Sequence, residues 1–273
     1  MSGGDVVAAE VEALIAGLKH RFGHDFSGYG RASLHRRFQA ALDRAPEPTL
    51  SALQGALLRD PDRLGPFLDA VSVPRTEMFR HPPTWRLLRE QVIPRLATYP
   101  RPEVWVAGCA TGQEVWSVAI LLEEAGILDR CRIHATDLAP GSLRAAAEGI
   151  VEASELRTYT DNYQRAGGES AFSEYFSAAY GFARFRPELL RTVEFQAHSL
   201  ATDGPFASVH LVLCRNVLIY FDPPLQSRAI GVLAASLVRR GYLCLGSQES
   251  LRFTGHASAF EPLQDPLRVY RAC

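Results

Sequence analysis

The sequence lacks the features that define several classes of protein. Its 273 residues carry a formal net charge of −1, so bulk electrostatics provide no drive toward nucleic acid or acidic lipid. No apolar run approaches the ~20 residues that a membrane-spanning helix needs. The five cysteines form no CxxC pair and no cluster with histidine, which predicts reduced thiols and no metal site. The N-terminal residues have early acids and no basic stretch before an apolar one, so we expect a helix rather than a secretion signal, and a cytoplasmic protein.

The remaining composition is that of a globular protein with two kinds of segment. Apolar residues make up 47% of the chain and charged residues 22%, which are ordinary values for a folded domain. Within residues 5–71, apolar side chains recur at helical spacing, as in Val7, Val11, Leu14 and Leu18. The rest of the chain alternates strand and helix signals. We therefore predict an all-α N-terminal domain over residues 1–84 and an α/β domain over residues 85–273.

The most informative stretch is a predicted strand–turn–helix–strand unit. Residues 104–107 are short, bulky and apolar, as in a buried strand, and a glycine-bracketed turn follows at 108–112. A helix is predicted over residues 113–124, and a second strand over 131–136 ends at Asp137. In an open α/β sheet, ligands bind in the crevice at the carboxyl ends of such strands.

The residues of this unit favour one class of ligand. A dinucleotide site needs a third glycine, but Ala110 stands in the middle of the turn, and Glu114 in the first helical turn would repel a phosphate. An acid suits a cationic amine instead, and Asp137 is placed to accept hydrogen bonds from ribose hydroxyls. S-adenosylmethionine (SAM) has both groups and no pyrophosphate. The glycine turn alone fits a purely structural βα turn equally well, but the turn and both acids together predict SAM.

The following elements complete an α/β architecture. A helix is predicted over 141–148, and residues 151–191 form an aromatic-rich, partly helical insertion. The later elements are strands at 192–196, 210–214 and 241–245, a helix at 224–238 and a closing hairpin of 260–263 with 268–271. A mostly parallel sheet with an antiparallel C-terminal hairpin is the Rossmann-like architecture common in SAM-dependent methyltransferases.

Two polar segments outside this unit allow alternative interpretations. The second N-terminal helix concentrates basic residues, including Arg36 and Arg37, which form either a solvated face or a docking surface for an acidic protein helix. The segment joining the domains contains Thr76 and Arg80, four residues apart and predicted on one side of a helical turn. Arg80 is either a fork for a carboxylate or an interdomain ion-pair partner.

Several motifs in the same order resemble one family. They are Arg36-Arg37, Thr76-Glu77-Met78-Phe79-Arg80, Trp105, the turn Ala107-Gly108-Cys109-Ala110-Thr111-Gly112, Ala135-Thr136-Asp137, the segment 214–222 (CRNVLIYFD), and Gly246 with Glu249-Ser250. Along nearly its whole length the chain resembles the chemotaxis-receptor glutamate methyltransferases (CheR). The resemblance implies transfer of the SAM methyl group to glutamates on cytoplasmic helices of chemoreceptors or related signalling proteins, with S-adenosylhomocysteine as the other product. It also implies a small β-subdomain, which would fall in the insertion at 151–191.

The resemblance also implies roles for individual residues. Arg80 and Tyr220 would be catalytic, and Arg36 and Arg37 would dock the substrate. The implied cofactor-binding residues are Pro74, Thr76, Arg80, Gly108, Glu114, Asp137, Ser199, Leu200, Arg215 and Asn216. The chain departs from the family at four positions, where Pro74 and Ser199 replace Asn, Gln113 replaces Glu and Trp116 replaces Tyr. A glutamate acceptor is ionised at neutral pH and needs no general base, which agrees with the sparse set of catalytic residues.

Two other functions remain open at this stage. A SAM-binding module that has lost catalysis would serve as a regulatory interaction protein. A nucleic-acid amino-methyltransferase is suggested by Asn216 and Tyr220, but Val217, Leu218 and Ile219 stand where such a site needs two prolines. Because the overall charge is near neutral, we expect no nucleic-acid partner. We also expect no membrane insertion and a monomeric protein.

Overall fold

The N-terminal part is a small bundle of helices around its own core. The computed structural model describes residues 3–73 and 76–273. The helices in the first of these ranges are α1 (Gly3–Phe22), α2 (Arg31–Leu42), α3 (Leu50–Arg59) and α4 (Leu64–Val71), with a 3₁₀ turn at Pro61–Arg63. Leu14 and Leu18 of α1, Phe38 of α2 and Leu57 of α3 are buried together. Within each helix the buried apolar residues recur every three or four positions, which explains why the segment folds as helices with one apolar face.

A seven-stranded sheet forms the centre of the remaining chain. Its strands are β1 (Glu103–Ala107), β2 (Arg132–Asp137), β6 (Val193–Ala197), β7 (Val209–Cys214), β8 (Leu237–Leu245), β9 (Phe260–Gln264) and β10 (Val269–Ala272). The strand order is β6-β2-β1-β7-β8-β10-β9. The first five strands pair in parallel, and β10 pairs antiparallel with both β8 and β9. The predicted fold class, a Rossmann-like methyltransferase sheet with an antiparallel C-terminal hairpin after an all-α segment, is confirmed.

Helices cover both faces of this sheet. They are α5 (Pro82–Leu87) and α6 (Ile93–Leu96) with a π-helical turn at Leu88–Val92 between them, α7 (Gln113–Glu124), α8 (Pro140–Glu148) and α10 (Pro223–Ala235). Alternate residues of β1 enter different cores: Val104 and Val106 face one, and Trp105 and Ala107 the other. This alternation buries both faces of the strand. Within residues 3–73 and 76–273, no helix combines the length and apolar character needed to cross a membrane.

The aromatic-rich insertion contains a second, smaller sheet. Strands β3 (Ile150–Glu152), β4 (Phe176–Ala179) and β5 (Phe182–Phe185) pair antiparallel in the order β3-β5-β4, and helix α9 (Leu156–Arg165) lies between β3 and β4 in the chain. The aromatic rings form its core, for example Phe172 against Tyr163 and Phe185. The small β-structure expected from the resemblance is therefore present, whereas the composition alone predicted only irregular and helical segments.

The predicted boundary between the last helix and the following strand was wrong. The helix predicted to reach residue 238 ends at Ala235. The strand predicted to begin at residue 241 begins at Leu237, because Leu237 pairs with Val209 of β7. Apolar residues at this position fit a helix or a strand, and only the long-range pairing distinguishes them.

The helical turn predicted for Thr76 and Arg80 was also wrong, because the joint between the helices and the sheet is not helical over residues 76–81. Phe79 and His81 have φ angles of 50° and 59°, which a helical turn excludes. Phe79 is fully buried, and its N–H donates to the Ser117 hydroxyl of α7 at 3.0 Å. The Met78 carbonyl likewise accepts from the Asn162 side chain at 3.1 Å. These tertiary contacts hold the joint in its non-helical path.

Candidate functional site

One cleft lies between the carboxyl edge of the large sheet and the N-terminal helices. It contains about 1150 Å³ of empty space, a volume that includes open solvent. The sheet contributes residues that follow β1, β2, β6 and β7, and the helical bundle contributes Phe26, Tyr29, Arg37 and Val71. The cleft therefore has a sheet wall and a helical wall.

The glycine turn after β1 forms the floor of the sheet wall. The N–H groups of Gly108 and Cys109 both donate to the Thr136 carbonyl, at 2.8 and 2.9 Å, which ties the turn to the end of β2. Gly108 has a φ of 74°, and a Cβ atom there would lie 2.4 Å from Val217 Cγ2. Because only glycine tolerates both conditions, the turn is fitted closely against the loop that follows β7.

Asp137 is fixed by main-chain groups at the end of β2. Its Oδ2 accepts from Ala110 N at 2.8 Å and its Oδ1 from Ala139 N at 3.0 Å. Burial raises the pKa of Asp137, while these N–H groups act in the opposite direction. Since each carboxylate oxygen accepts more than one hydrogen bond, both oxygens retain capacity for donors from a ligand.

Glu114 and Arg215 form an ion pair at the centre of the sheet wall. Arg215 Nη1 donates to Glu114 Oε2 at 2.7 Å, and the two side chains are only 2% and 14% exposed, respectively. Arg215 Nη2 also donates to the Arg80 carbonyl at 2.7 Å, whereas its buried Nε has no hydrogen-bond partner within residues 3–73 and 76–273. Burial raises the pKa of Glu114, and the Arg215 charge opposes that shift. The acid expected to meet a cationic amine thus already has a cationic partner.

Arg37 and Tyr220 meet across the cleft. The Arg37 guanidinium lies 4.1 Å from the centre of the Tyr220 ring, a cation–π contact. Its single hydrogen bond is a long one, from Nη1 to the Val71 carbonyl at 3.4 Å, and its buried Nε and Nη2 have no partner among the described residues. Burial lowers the pKa of Arg37. The cleft thus has a guanidinium on its helical wall, a group that pairs with anions in other proteins.

A main-chain bridge connects the helical bundle to the Tyr220 loop. Gly30 N donates to the Tyr220 carbonyl, and Asp222 N donates to the Gly28 carbonyl, both at 2.8 Å. Between them, the Tyr29 and Phe221 rings meet edge to face with centres 4.9 Å apart. The bridge brings Tyr29 into the cleft, a residue that no local sequence pattern singled out.

The structure brings together most of the residues proposed from the sequence. Those lining the cleft are Arg37, Thr76, Arg80, Gly108, Glu114, Asp137, Ser199, Leu200, Arg215, Asn216 and Tyr220. Arg36 is exposed on α2 outside the cleft, and Pro74 falls outside the described residues. Of the departures from the family, Gln113 is buried and accepts from the Thr111 hydroxyl, and Trp116 donates to the Ala146 carbonyl in the core. Ser199 is buried, and its N–H donates to Asp203.

Comparison with known proteins agrees with this arrangement of a helical bundle and a cofactor-binding sheet. Residues 9–72 match the family model described as CheR methyltransferase, all-alpha domain, and residues 74–268 match CheR methyltransferase, SAM binding domain. The chain belongs to the CheR methyltransferase family. The family resemblance noted in the sequence is therefore confirmed, as is SAM as the cofactor. The protein is a SAM-dependent methyltransferase.

Three relatives of this chain align with it over most of their own lengths. Cher3 of Pseudomonas putida, named as a candidate methyltransferase, is 45% identical over 96% of this chain and 96% of its own. The chemotaxis protein methyltransferase of Listeria innocua is 30% identical over 86% of this chain and 87% of its own. Chemotaxis protein methyltransferase 1 of Vibrio cholerae is 31% identical over 75% of this chain and 74% of its own.

Proposed function

We propose that this methyltransferase acts in the cytoplasm on glutamate side chains of chemoreceptor helices or of related signalling proteins, and forms glutamyl methyl esters. The observation that supports it best is the Arg37 guanidinium, which lines the cleft 4.1 Å from the centre of the Tyr220 ring. The positive charge of this guanidinium favours an anionic acceptor over the neutral amine of a nucleobase. The names of the Listeria and Vibrio relatives point in the same direction.

The sheet wall is proposed to hold the cofactor. Asp137 would accept from the ribose hydroxyls with the lone pairs that its two main-chain partners leave free. Glu114 would share its charge between Arg215 and the methionine amine. Gly108, Cys109 and Ala110 of the turn line the cleft beside these acids and would lie next to the cofactor. The residues proposed to surround the rest of the cofactor are Thr76, Arg80, Ser199, Leu200, Arg215 and Asn216, with Pro74 from the sequence alone.

The reaction makes few demands on catalytic groups. When bound, SAM supplies a methyl group on a positively charged sulfur, and transfer to a glutamate oxygen leaves S-adenosylhomocysteine and an uncharged ester. The acceptor carboxylate is ionised at neutral pH and requires no base. What the protein supplies is orientation and the removal of water from the carboxylate. Arg37 and Arg80 would orient that carboxylate, and Tyr220 would place its ring and hydroxyl beside it.

Loss of charge in the product also favours turnover. A carboxylate pairs with a guanidinium through charge-assisted hydrogen bonds, but a methyl ester carries no charge and accepts more weakly. The product should therefore leave the Arg37 side of the cleft more readily than the substrate.

The proposal is tested by labelled methyl transfer. The protein would be incubated with methyl-labelled SAM and cytoplasmic receptor fragments, and the product treated with mild base. Release of labelled methanol identifies a methyl ester, and replacement of the acceptor glutamates by aspartate in the fragment should abolish it. Base-stable label, or no transfer to any receptor or signalling helix, would overturn the proposal, and the latter result would favour a SAM-binding regulatory protein.

A further inference from the structure

The loop after β7 is shaped around one buried carboxylate that lies outside the cleft. Three consecutive N–H groups, those of Asn216, Val217 and Leu218, point to Glu249 at 3.0, 2.8 and 2.7 Å, and Gly246 N adds a fourth bond at 2.6 Å. Glu249 is only 4% exposed. Asn216 has a φ of 62°, in the left-handed region that asparagine adopts more readily than most other residues with a side chain, and the four hydrogen bonds to Glu249 hold the loop in this shape.

The four hydrogen bonds are divided equally between the two oxygens. Oε1 accepts from Val217 and Leu218, and Oε2 accepts from Asn216 and Gly246. Burial raises the pKa of Glu249, and the four N–H groups oppose that effect. The nearby cation, Arg215, pairs with Glu114 rather than with Glu249. The glutamate is therefore held by main-chain dipoles, and only a group with two acceptor oxygens fits them.

The supported loop has little freedom to shift. On one side, Gly108 leaves no space for a Cβ beside Val217, and on the other a Cβ on Gly246 would lie 2.8 Å from Asn216 N. The loop carries Arg215 at its start and Tyr220 at its end, and both line the cleft. A displacement at Glu249 would thus reach the Glu114 pair at one end and the Arg37 contact at the other.

We propose that Glu249 is a positioning residue for the cofactor site, acting through the loop formed by residues 215–220. Glu249 itself is not among the residues that line the cleft. Its carboxylate fixes three successive N–H groups and so sets where Arg215 and Asn216 face the glycine turn. This inference concerns SAM binding and does not depend on which acceptor is methylated.

The test compares SAM affinity in three full-length variants. Glu249→Gln keeps the shape but places an NH₂ group against two N–H donors in either orientation, so the dissociation constant for SAM should rise about tenfold or more. Glu249→Asp keeps both oxygens but withdraws them by one methylene, so a smaller rise of about threefold is expected. Glu261→Gln, which removes an exposed charge paired with Arg271 on the β9–β10 hairpin, is the control and should bind SAM as the wild type does.

Calorimetry well below the unfolding temperature measures these affinities without any acceptor, and hydrogen exchange of the 215–220 peptide reports the loop itself. Exchange there should accelerate in Glu249→Gln and not in Glu261→Gln. A purely structural role would lower the unfolding temperature and leave the affinity of the folded protein unchanged. Folded Glu249→Gln with wild-type affinity and exchange would overturn the inference. If Glu249→Gln does not fold, wild-type SAM affinity and exchange in folded Glu249→Asp would overturn the inference.

Discussion

The two walls of the cleft satisfy their polar groups in different ways. On the sheet wall, Asp137 is bound by two main-chain N–H groups and Glu114 by Arg215 at 2.7 Å. On the helical wall, Arg37 has one long hydrogen bond and a ring contact with Tyr220. Because hydrogen bonds within the protein already fix the Asp137 and Glu114 carboxylates, the sheet wall is preorganised for a ligand of fixed shape. The Arg37 side chain has fewer fixed contacts than the acids of the sheet wall, which suits an acceptor side chain that arrives and leaves.

A second comparison lies within α2. Arg36 and Arg37 are neighbours in the sequence, yet Arg36 is exposed and Arg37 lines the cleft. Successive residues of a helix point about 100° apart, so the burial of Phe38 and Leu34 in the bundle turns only one of the two toward the sheet. Basic residues that are neighbours in the sequence therefore do not all lie on one surface of the helix. The division between the walls can be tested by substitutions on each side and at the joint.

The largest effect is expected at the joint. Arg80 lines the cleft where both walls meet, and its removal should misplace the acceptor relative to the methyl group. We expect Arg80→Ala to lower both kcat and kcat/KM by on the order of 10²-fold. Single-turnover methyl transfer at saturating SAM and substrate measures it. A wild-type rate there would show that Arg80 is a structural residue.

On the sheet wall, Asp137→Ala should weaken SAM binding by about 1.5–3 kcal/mol, the range for hydrogen bonds to a charged group. Calorimetry without acceptor measures this directly, and circular dichroism checks that the variant is folded. Unchanged affinity in folded protein would remove Asp137 from the cofactor site. The effect should appear in the KM for SAM and not in the KM for the protein substrate.

The helical wall should show the opposite pattern. We expect Arg37→Ala to lower kcat/KM for the protein substrate about tenfold, as loss of a charged hydrogen bond does, with SAM affinity retained. Arg36→Ala is the matched control, and its smaller effect should fade with added salt because exposed charges are screened over ~8–10 Å. Equal losses in the two variants would mean that α2 acts as one basic surface.

The smallest effect is expected for Tyr220→Phe. The ring that Arg37 covers is retained and only the hydroxyl is lost, so the single-turnover rate should fall by about three- to tenfold, the value of one neutral hydrogen bond. Tyr220→Ala removes the ring as well and should resemble Arg37→Ala. If Tyr220→Phe matched wild type while Tyr220→Ala did not, the contribution of Tyr220 would be its ring alone.

The predictability of each residue depended on whether its role was local. Asp137 and Glu114 could be assigned because they follow a strand and begin a helix next to one glycine turn, and parallel strands bring such ends to one edge. Arg215 was placed in the site, but its pairing with Glu114 joins residues that are 101 positions apart. Tyr29 had no local signal, and Glu249 belonged to a family motif that gave it no role, since their contacts with the Tyr220 loop depend on how distant segments pack. The end of α10 was misjudged for the same reason.

The main-chain bridge between residues 28–30 and 220–222 affects how such an enzyme can diversify. Its hydrogen bonds use main-chain N–H and carbonyl groups, which nearly every residue possesses. Exposed side chains of the helices can therefore change without loss of the hydrogen bonds to the Tyr220 loop. Gly28 is the exception, because a Cβ there would lie 2.8 Å from Leu225 Cβ. Substitutions on the outer face of α2 should therefore leave the position of Tyr220 unchanged.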